Sequence, residues 1–99
     1  MNNLIFPLLD KNHDWQQHLE KHREEAGELM DAIMNIRERG LEGILEEAMD
    51  TIQVSIGIIH KVDKENPALV REANIKHYLK MFTKGFEVCE ILKLEGDHK

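Results

Sequence analysis

Apolar residues recur at spacings of three and four through most of the chain, and this periodicity predicts three α-helices. The first apolar stripe runs from Leu19 to Ile36. Asp14 is a suitable N-cap residue before it, and Gly40 is the kind of residue that ends a helix after it. We therefore predict a first helix from Asp14 to about Arg39.

The second helix is predicted from about Leu41 to Lys64 and carries apolar residues on more than one side. Ile56 and Ile58 widen its main stripe, so we expect this helix to be buried on several sides. Gly57 costs about 1 kcal/mol of helix propensity at an interior position. We expect close packing against a neighbouring helix to explain its presence.

The third helix is predicted to begin at Asn66 and Pro67, because asparagine suits the N-cap and proline suits the first helical position. It is predicted to end near Thr83. The segments outside the helices are short. We expect residues 1–12 to form an arm that packs on the body or on a partner subunit, and residues 86–99 to form a weakly patterned tail.

These elements predict an all-α fold, a helical bundle of about three helices over residues 13–85. A chain of 99 residues forms one domain and buries only roughly 65% of the surface that it exposes when unfolded. Three helices cannot easily cover both the apolar second helix and the apolar arm. We therefore expect oligomerisation to complete the core.

The charge and the cysteine content narrow the class of partner and the compartment. The formal net charge is -6, which argues against binding to a nucleic-acid backbone because such binding needs a basic face. The single cysteine allows no disulfide within the chain, which fits a reducing cytoplasm. The N-terminal residues lack the features of a signal peptide, and no apolar stretch is long enough to span a membrane. We therefore expect a cytoplasmic protein that binds neither nucleic acid nor a membrane.

Two acidic pairs supply the candidate chemistry. Glu25 and Glu28 are spaced i, i+3 on the first helix. Glu47 and Asp50 have the same spacing on the second helix, so each pair places two carboxylates on one side of a helix, a turn apart. On a helical wheel both pairs border the apolar stripe on the same side. Two antiparallel helices packed through those stripes would bring four carboxylates together at the edge of the core.

Four carboxylates that converge would repel one another, and a divalent cation relieves this repulsion. Ligands that are all oxygen favour Mg²⁺ or Mn²⁺ over Zn²⁺. Mg²⁺ also retains positions for water and phosphate oxygens, which suits a triphosphate substrate. The neighbouring Glu24 and Glu46 are expected to point further toward solvent.

The two acidic segments, Glu-Glu-Ala-Gly-Glu-Leu at residues 24–29 and Glu-Glu-Ala-Met-Asp at residues 46–50, resemble the MazG-like all-α nucleoside triphosphate pyrophosphohydrolases. The signature of that family is ExxE, a spacer and then ExxD. In this chain the four signature positions are Glu25, Glu28, Glu47 and Asp50. The resemblance implies that these residues bind Mg²⁺, with Mn²⁺ as an alternative, and that residues 13–85 form a MazG-like helical domain.

The same resemblance implies an enzyme that cleaves a nucleoside triphosphate into a monophosphate and pyrophosphate, working as a homodimer or homotetramer. We expect water to attack the α-phosphorus, with Glu25 or Glu47 as the catalytic residue that accepts its proton. The sequence has no Gly-rich P-loop, which enzymes that cut the γ-phosphate usually carry. The preferred base and sugar stay open.

The third helix carries a basic stripe that is the expected counterpart of the acids. Lys76, Lys80 and Lys84 repeat at i, i+4 and i+8. They form either a solvated lysine face or a clamp on the β- and γ-phosphates. Asn74 is the expected donor of a further hydrogen bond to phosphate or sugar, and residues 74–85 resemble the Asn- and Lys-rich segment of small MazG-like proteins.

Two other classes of function remain open. One is a catalytically weak or inactive helical interaction module, and the other is a divalent-metal-binding bundle without nucleotide chemistry. The acids argue against the first class, because an interaction module has no reason to concentrate charge beside its core. The lysine stripe argues against the second class if it faces the acids. Trp15 is expected to be a core anchor, with the wall of a nucleobase pocket as the alternative.

Overall fold

The computed structural model describes residues 1–94, and within that range it contains three α-helices and no strand. The helices are α1 (Trp15–Met34), α2 (Ile36–Glu65) and α3 (Pro67–Thr83). The predicted all-α class and the predicted number of helices are confirmed. Over the same residues, none of the helices combines the length and the apolar character that a membrane crossing requires.

The start of α1 follows the local sequence. The Asp14 carboxylate accepts a hydrogen bond from the backbone N–H of Gln17 at 2.8 Å. The Gln17 side chain in turn accepts one from the backbone N–H of Asp14 at 2.9 Å, which completes a capping box. The predicted N-cap is therefore confirmed, because two orphan N–H groups find partners within four residues.

The end of α1 differs from the prediction. The helix ends at Met34 with Asn35 as its C-cap, so the predicted extension to Arg39 is wrong. The Asn35 side-chain amide donates to the backbone carbonyl of Asp31 and to its carboxylate, both at 2.9 Å. Asparagine side chains compete with the helical backbone for such partners, and Asn35 itself leaves the helical region (φ -110, ψ 38).

Gly40 breaks the helical path, as its sequence position predicts, but it does so inside α2. Its backbone is non-helical (φ 67, ψ -179), a conformation that glycine adopts without the penalty that a Cβ would bring. Residues 36–39 therefore form a short turn of helix before this kink. The long regular part of α2 follows the kink and ends at Glu65.

The start of α3 is the predicted one. The Asn66 side chain accepts a hydrogen bond from the backbone N–H of Leu69 at 3.2 Å, and Pro67 takes the first helical position. The helix ends at Thr83. In the described part of the chain, α1 and α3 each contact α2 and do not contact one another.

The N-terminal segment lies against α2. Residues 1–12 form neither helix nor strand. The Gln53 side-chain amide donates to the carbonyl of Pro7 at 2.6 Å, and the Lys64 ammonium donates to Asp10 at 3.0 Å. Of the predicted tail, residues 86–94 are also without helix or strand, and residues 95–99 lie outside the described residues.

The single chain buries very little. Within residues 1–94, Ala32 is the only buried apolar residue. Ile52 and Ile59 on α2 are 40% and 53% exposed, so the expected burial of α2 on several sides is not reached in one chain. The accessible surface is 8548 Å², whereas a folded monomer of this mass exposes about 5,800 Å².

Candidate metal centre

The acids are brought together because α1 and α2 run antiparallel. The ammonium of Lys61, near the end of α2, lies 5.2 Å from the ring centroid of Trp15, at the start of α1. The middle of α1 therefore lies beside the first half of α2. The acidic segments of the two helices occupy these middle positions, as the helical wheels predict.

Three of the four predicted carboxylates converge. Glu25, Glu28 and Glu47 each offer an oxygen, and these oxygens all lie within 4.8 Å of one another. Two of the residues come from α1 and one from α2. The cluster therefore depends on the contact between the two helices and is not a property of one helix surface.

The fourth predicted acid belongs to a second cluster. Asp50 offers an oxygen within 4.8 Å of oxygens from Glu46 and Glu47. Glu47 is therefore shared between two groups of three. Glu46 is exposed, as expected, yet it takes part in this second cluster. The wheel did not identify it, although its i, i+4 relation to Asp50 places both residues on one side of α2.

The two central carboxylates are buried without full compensation. Glu25 is 6% exposed and Glu47 is 8% exposed. In each, the Oε2 atom is buried and has no hydrogen-bond partner within the described part of the chain. Buried polar atoms almost always have a partner, and a buried carboxylate oxygen without one is costly. A cation bound beside these two oxygens would remove that cost.

The pKa of Glu28 reflects the electrostatic repulsion between the carboxylates of the cluster. The adjacent Glu47 carboxylate, followed by the negative charge of Glu25, raises the pKa of Glu28 to about 7. Each negative charge in the cluster disfavours ionisation of its neighbours, which is why the pKa of this carboxyl lies above its usual range. The cluster therefore takes up a proton where no other cation neutralises it.

Lys21 partly neutralises the cluster on the α1 side. Its ammonium lies 3.0 Å from Glu25 and 3.5 Å from Glu24. The hydrogen bond to Glu25 is the main cause that raises the pKa of Lys21. Lys21 and Glu25 are spaced i, i+4, so a search of the sequence for helical ion pairs would have found this contact.

Arg39 plays the same role on the α2 side. Its guanidinium lies 3.1 Å from Glu47 and 3.1 Å from Asp31. A Cβ added to Gly43 would lie 3.1 Å from the Arg39 Cβ and 3.2 Å from its Nε, so Gly43 leaves the space that this side chain occupies. Sequence reasoning could not find this contact, because it depends on the kink at Gly40.

The donor set fits a hard divalent cation. All the converging atoms are carboxylate oxygens, and Mg²⁺ and Mn²⁺ prefer such ligands. Glu25, Glu28 and Glu47 would hold the ion, with Glu46 and Asp50 beside them. Mg²⁺ usually binds through only a few carboxylates and keeps water or phosphate oxygens in its remaining positions.

The predicted substrate-binding residues lie apart from α1. Asn74, Lys76 and Lys80 are exposed on α3, and Lys84 follows the end of that helix. α3 contacts α2 but not α1 in the described chain. None of the three lysines forms an ion pair within residues 1–94. The stripe is therefore a solvated face in this chain, and its predicted role as a clamp stays a prediction.

A cavity of about 370 Å³ lies next to the acids. Residues 9–13 line one side of it, and α1 and α2 line the others. Glu25 and Asp50 line one part of it. Gly57 also lines it, and a Cβ there would meet only His18 at the ordinary distance of 3.7 Å, so the expected close helix packing does not explain this glycine.

The paired acids of α1 and α2 remain the feature that resembles the MazG-like enzymes, and the structure places them in two overlapping clusters that share Glu47. A comparison of the chain with protein-family models, with curated proteins and with solved structures finds no match.

Proposed function

We propose that this protein is a Mg²⁺-dependent nucleoside triphosphate pyrophosphohydrolase of the MazG-like type, which releases pyrophosphate and a nucleoside monophosphate. The observation that carries the proposal is the convergence of Glu25, Glu28 and Glu47 within 4.8 Å, with two buried carboxylate oxygens that have no partner in the described chain. A purely structural contact between helices would bury apolar groups at these positions instead.

The acids have distinct tasks in this proposal. Mg²⁺, when bound, supplies positive charge that neutralises phosphate oxygens and lowers the pKa of water. Glu25 and Glu47 are the buried members of the cluster and would hold the ion most rigidly. Either of these two carboxylates would accept the proton of the attacking water. The pKa of Glu28 is raised to about 7 in the absence of an ion. Binding of the ion would lower this pKa, and Glu28 would release its proton to solvent.

Attack at the α-phosphorus is the step that the proposal requires. The sequence has no P-loop, so side chains rather than a loop of backbone N–H groups must bind the phosphates. The proposed substrate-binding residues remain Asn74, Lys76, Lys80 and Lys84. They would come either from the same chain, in which α3 packs on α2, or from a second copy of the chain.

We propose a homodimer or homotetramer as the working form. Within residues 1–94, Ala32 is the only buried apolar residue, so α1 and α2 leave most of their apolar side chains exposed. A standard interface buries about 800 Å² of each partner. Large apolar side chains on α1 and α2 that a second copy would cover include Met30, Ile33, Met34 and Leu45. A sedimentation mass of a single chain at micromolar concentration would contradict the oligomer.

Pyrophosphate release from each NTP and dNTP with Mg²⁺ tests the proposed activity. Glu47→Gln should lower the rate by at least roughly 100-fold, since changes to the outer-shell partners of a metal already cost 10–100-fold. Glu42→Gln, an exposed acid on the same helix, is the matched control and should keep the wild-type rate. Orthophosphate as the first product, or equal rates in the two variants, would contradict the proposal.

The second candidate is a divalent-metal-binding bundle without nucleotide chemistry. It is favoured by the absence, within residues 1–94, of any ion pair between the α3 lysines and the acids. Mg²⁺ binding that Glu47→Gln abolishes, without pyrophosphate release from any NTP or dNTP, would select this candidate.

A further inference from the structure

The cavity beneath residues 9–13 has the dimensions of a ligand site. Its volume of about 370 Å³ falls in the range of small-molecule pockets, roughly 300–1,000 Å³. One buried member of the acid cluster, Glu25, lines it, and the Oε2 atom of that residue has no hydrogen-bond partner within the described chain. We call this space the arm cavity.

The charge of the arm cavity is opposite to that of the chain. The whole sequence has 19 acidic residues against 13 lysines and arginines. Four lysines line the cavity, and they are Lys11, Lys21, Lys61 and Lys64. Three carboxylates oppose them, Asp10, Glu25 and Asp50, so the cavity has a formal excess of one positive charge, which a cation bound at Glu25 and Asp50 would increase. Such a concentration of cations favours an anionic ligand over a neutral nucleoside.

Two of the four lysines, Lys11 and Lys61, form no ion pair within residues 1–94, and Lys61 is the one of these whose ammonium is held against an aromatic ring. Lys64 is paired with Asp10 at 3.0 Å, and Lys21 is paired with Glu25 at 3.0 Å. Lys61 has no carboxylate partner within residues 1–94, and its ammonium instead lies 5.2 Å from the centroid of the Trp15 ring. The ring attracts the ammonium and orders it without neutralising it.

Lys61 and the acids lie along the same wall of the arm cavity. Asp50 and Lys61 are eleven residues apart on α2, which is about 16 Å of helix, and both line the arm cavity. Helical side chains lean toward the N-terminus, so the Lys61 side chain leans toward Asp50. Gly57 lies between them on this wall and presents no side chain to the cavity. A phosphate chain with its metal-bound end at the acids would extend along this wall toward the Lys61 ammonium.

We propose that the arm cavity holds the phosphate chain of the substrate and that Lys61 contacts its terminal phosphate. The proposal rests on the proposed function for the class of substrate, because it assumes a polyphosphate whose other end lies at Glu25 and Asp50. It makes Lys61, rather than the lysines of α3, the residue that recognises the third phosphate.

Binding of inorganic tripolyphosphate in the presence of Mg²⁺, measured by calorimetry on the full chain, tests this assignment. Lys61→Gln should weaken the affinity by about tenfold, the value of one charge-assisted hydrogen bond. Lys61→Arg should retain most of the affinity because it keeps the charge. Lys93→Gln changes an exposed lysine that lines no part of the arm cavity, so it is the matched control and should bind like the wild type.

The outcomes separate this proposal from the proposed function. A loss of less than about fivefold in Lys61→Gln, or no binding of tripolyphosphate by the wild type, overturns the assignment of the arm cavity, whatever the turnover assay shows. A larger loss in Lys76→Gln than in Lys61→Gln overturns it as well, in favour of α3. Pyrophosphate release by the wild type is measured separately, and its absence would sink the proposed activity even if tripolyphosphate binds as expected.

Discussion

The contact between α1 and α2 and the surface of α3 distribute charge in opposite ways. The first contact buries two carboxylates, Glu25 and Glu47, together with one alanine, Ala32. α3 buries no residue at all, and its lysines are solvated. Burying charge is costly unless a partner neutralises it, so the first region loses stability at the place where we propose the metal site. The solvated lysines of α3 cost almost no stability. Their presence alone therefore does not indicate a function.

Removal of the divalent cation should have the largest effect on activity. If it had no effect, the proposed difference in function between the α1–α2 contact and α3 would be wrong. Pyrophosphate release should fall to background in EDTA and return with Mg²⁺ or Mn²⁺. Without the cation, nothing at the buried acids neutralises phosphate oxygens or lowers the pKa of water. The measurement is the release rate before and after titration with each ion. Full activity in EDTA would mean that the acid cluster has no part in the chemistry.

Glu25→Gln should move activity and stability in opposite directions. Activity should drop by at least roughly 100-fold. The melting temperature in EDTA should rise, because the change removes a buried charge whose Oε2 atom has no partner in the described chain. Glu20→Gln, an exposed position on the same helix, is the control and should change neither value. A lower melting temperature for Glu25→Gln would show that the carboxylate is structural.

The pH dependence of stability should reveal Glu28. Its pKa is about 7 in the folded chain and near 4.5 in an unfolded one, so the folded state binds its proton more tightly. Stability in EDTA should therefore fall as pH rises from about 4.5 through about 7, and Mg²⁺ should restore it above pH 7. Melting temperatures across this window test the point. Glu28→Gln should flatten the profile, and an unchanged profile would contradict the assignment.

Gly43→Ala should act through Arg39. The added Cβ would lie 3.1 Å from the Arg39 Cβ and 3.2 Å from its Nε, so this side chain must move by a few tenths of an ångström, which disturbs its ion pair with Glu47. Arg39→Gln removes the same ion pair directly. The two changes should therefore be non-additive in the free energy of unfolding, with a coupling of roughly 0.5–3 kcal/mol. A double-mutant cycle by chemical denaturation measures this, and strict additivity would show that Gly43 and Arg39 act independently.

Lys80→Ala should have the smallest effect. It should raise KM for the triphosphate by about threefold and leave kcat unchanged, because an exposed charge contributes little to binding. Steady-state kinetics with the preferred NTP measures both values. A large loss of kcat would place α3 within the active site and end the contrast between the two regions.

Local sequence signals predict the fold best. Asp14, Asn66 and Pro67 act through hydrogen bonds or dihedral preferences within a few residues, and the structure confirms all three. Asn35 carries a signal of the same range, but the apolar periodicity through Ile36 concealed it. The early end of α1 is therefore a case in which a side-chain hydrogen bond competes successfully with periodicity.

The candidate site is predictable only where it follows helical spacing. Periodicity places Glu25, Glu28 and Glu47 beside the apolar stripe, and the structure brings them together. The ion pair of Arg39 with Glu47 depends on a kink, and the arm cavity depends on a non-helical segment crossing two helices. Neither relation repeats with the helical period, so no pattern in the sequence indicates it.

Residues 9–13 form one wall of the arm cavity, and weak contacts hold this part of the chain in place. Residues 7–10 are tied to α2 by the Gln53 amide and the Lys64 ammonium, and both contacts are exposed to solvent. Exposed polar contacts of this kind are readily exchanged for water and are weakened by salt. Movement of this wall is therefore a local fluctuation that costs much less free energy than separating α1 from α2. Ligand exchange should accordingly speed up with ionic strength while both helices keep their amide protection.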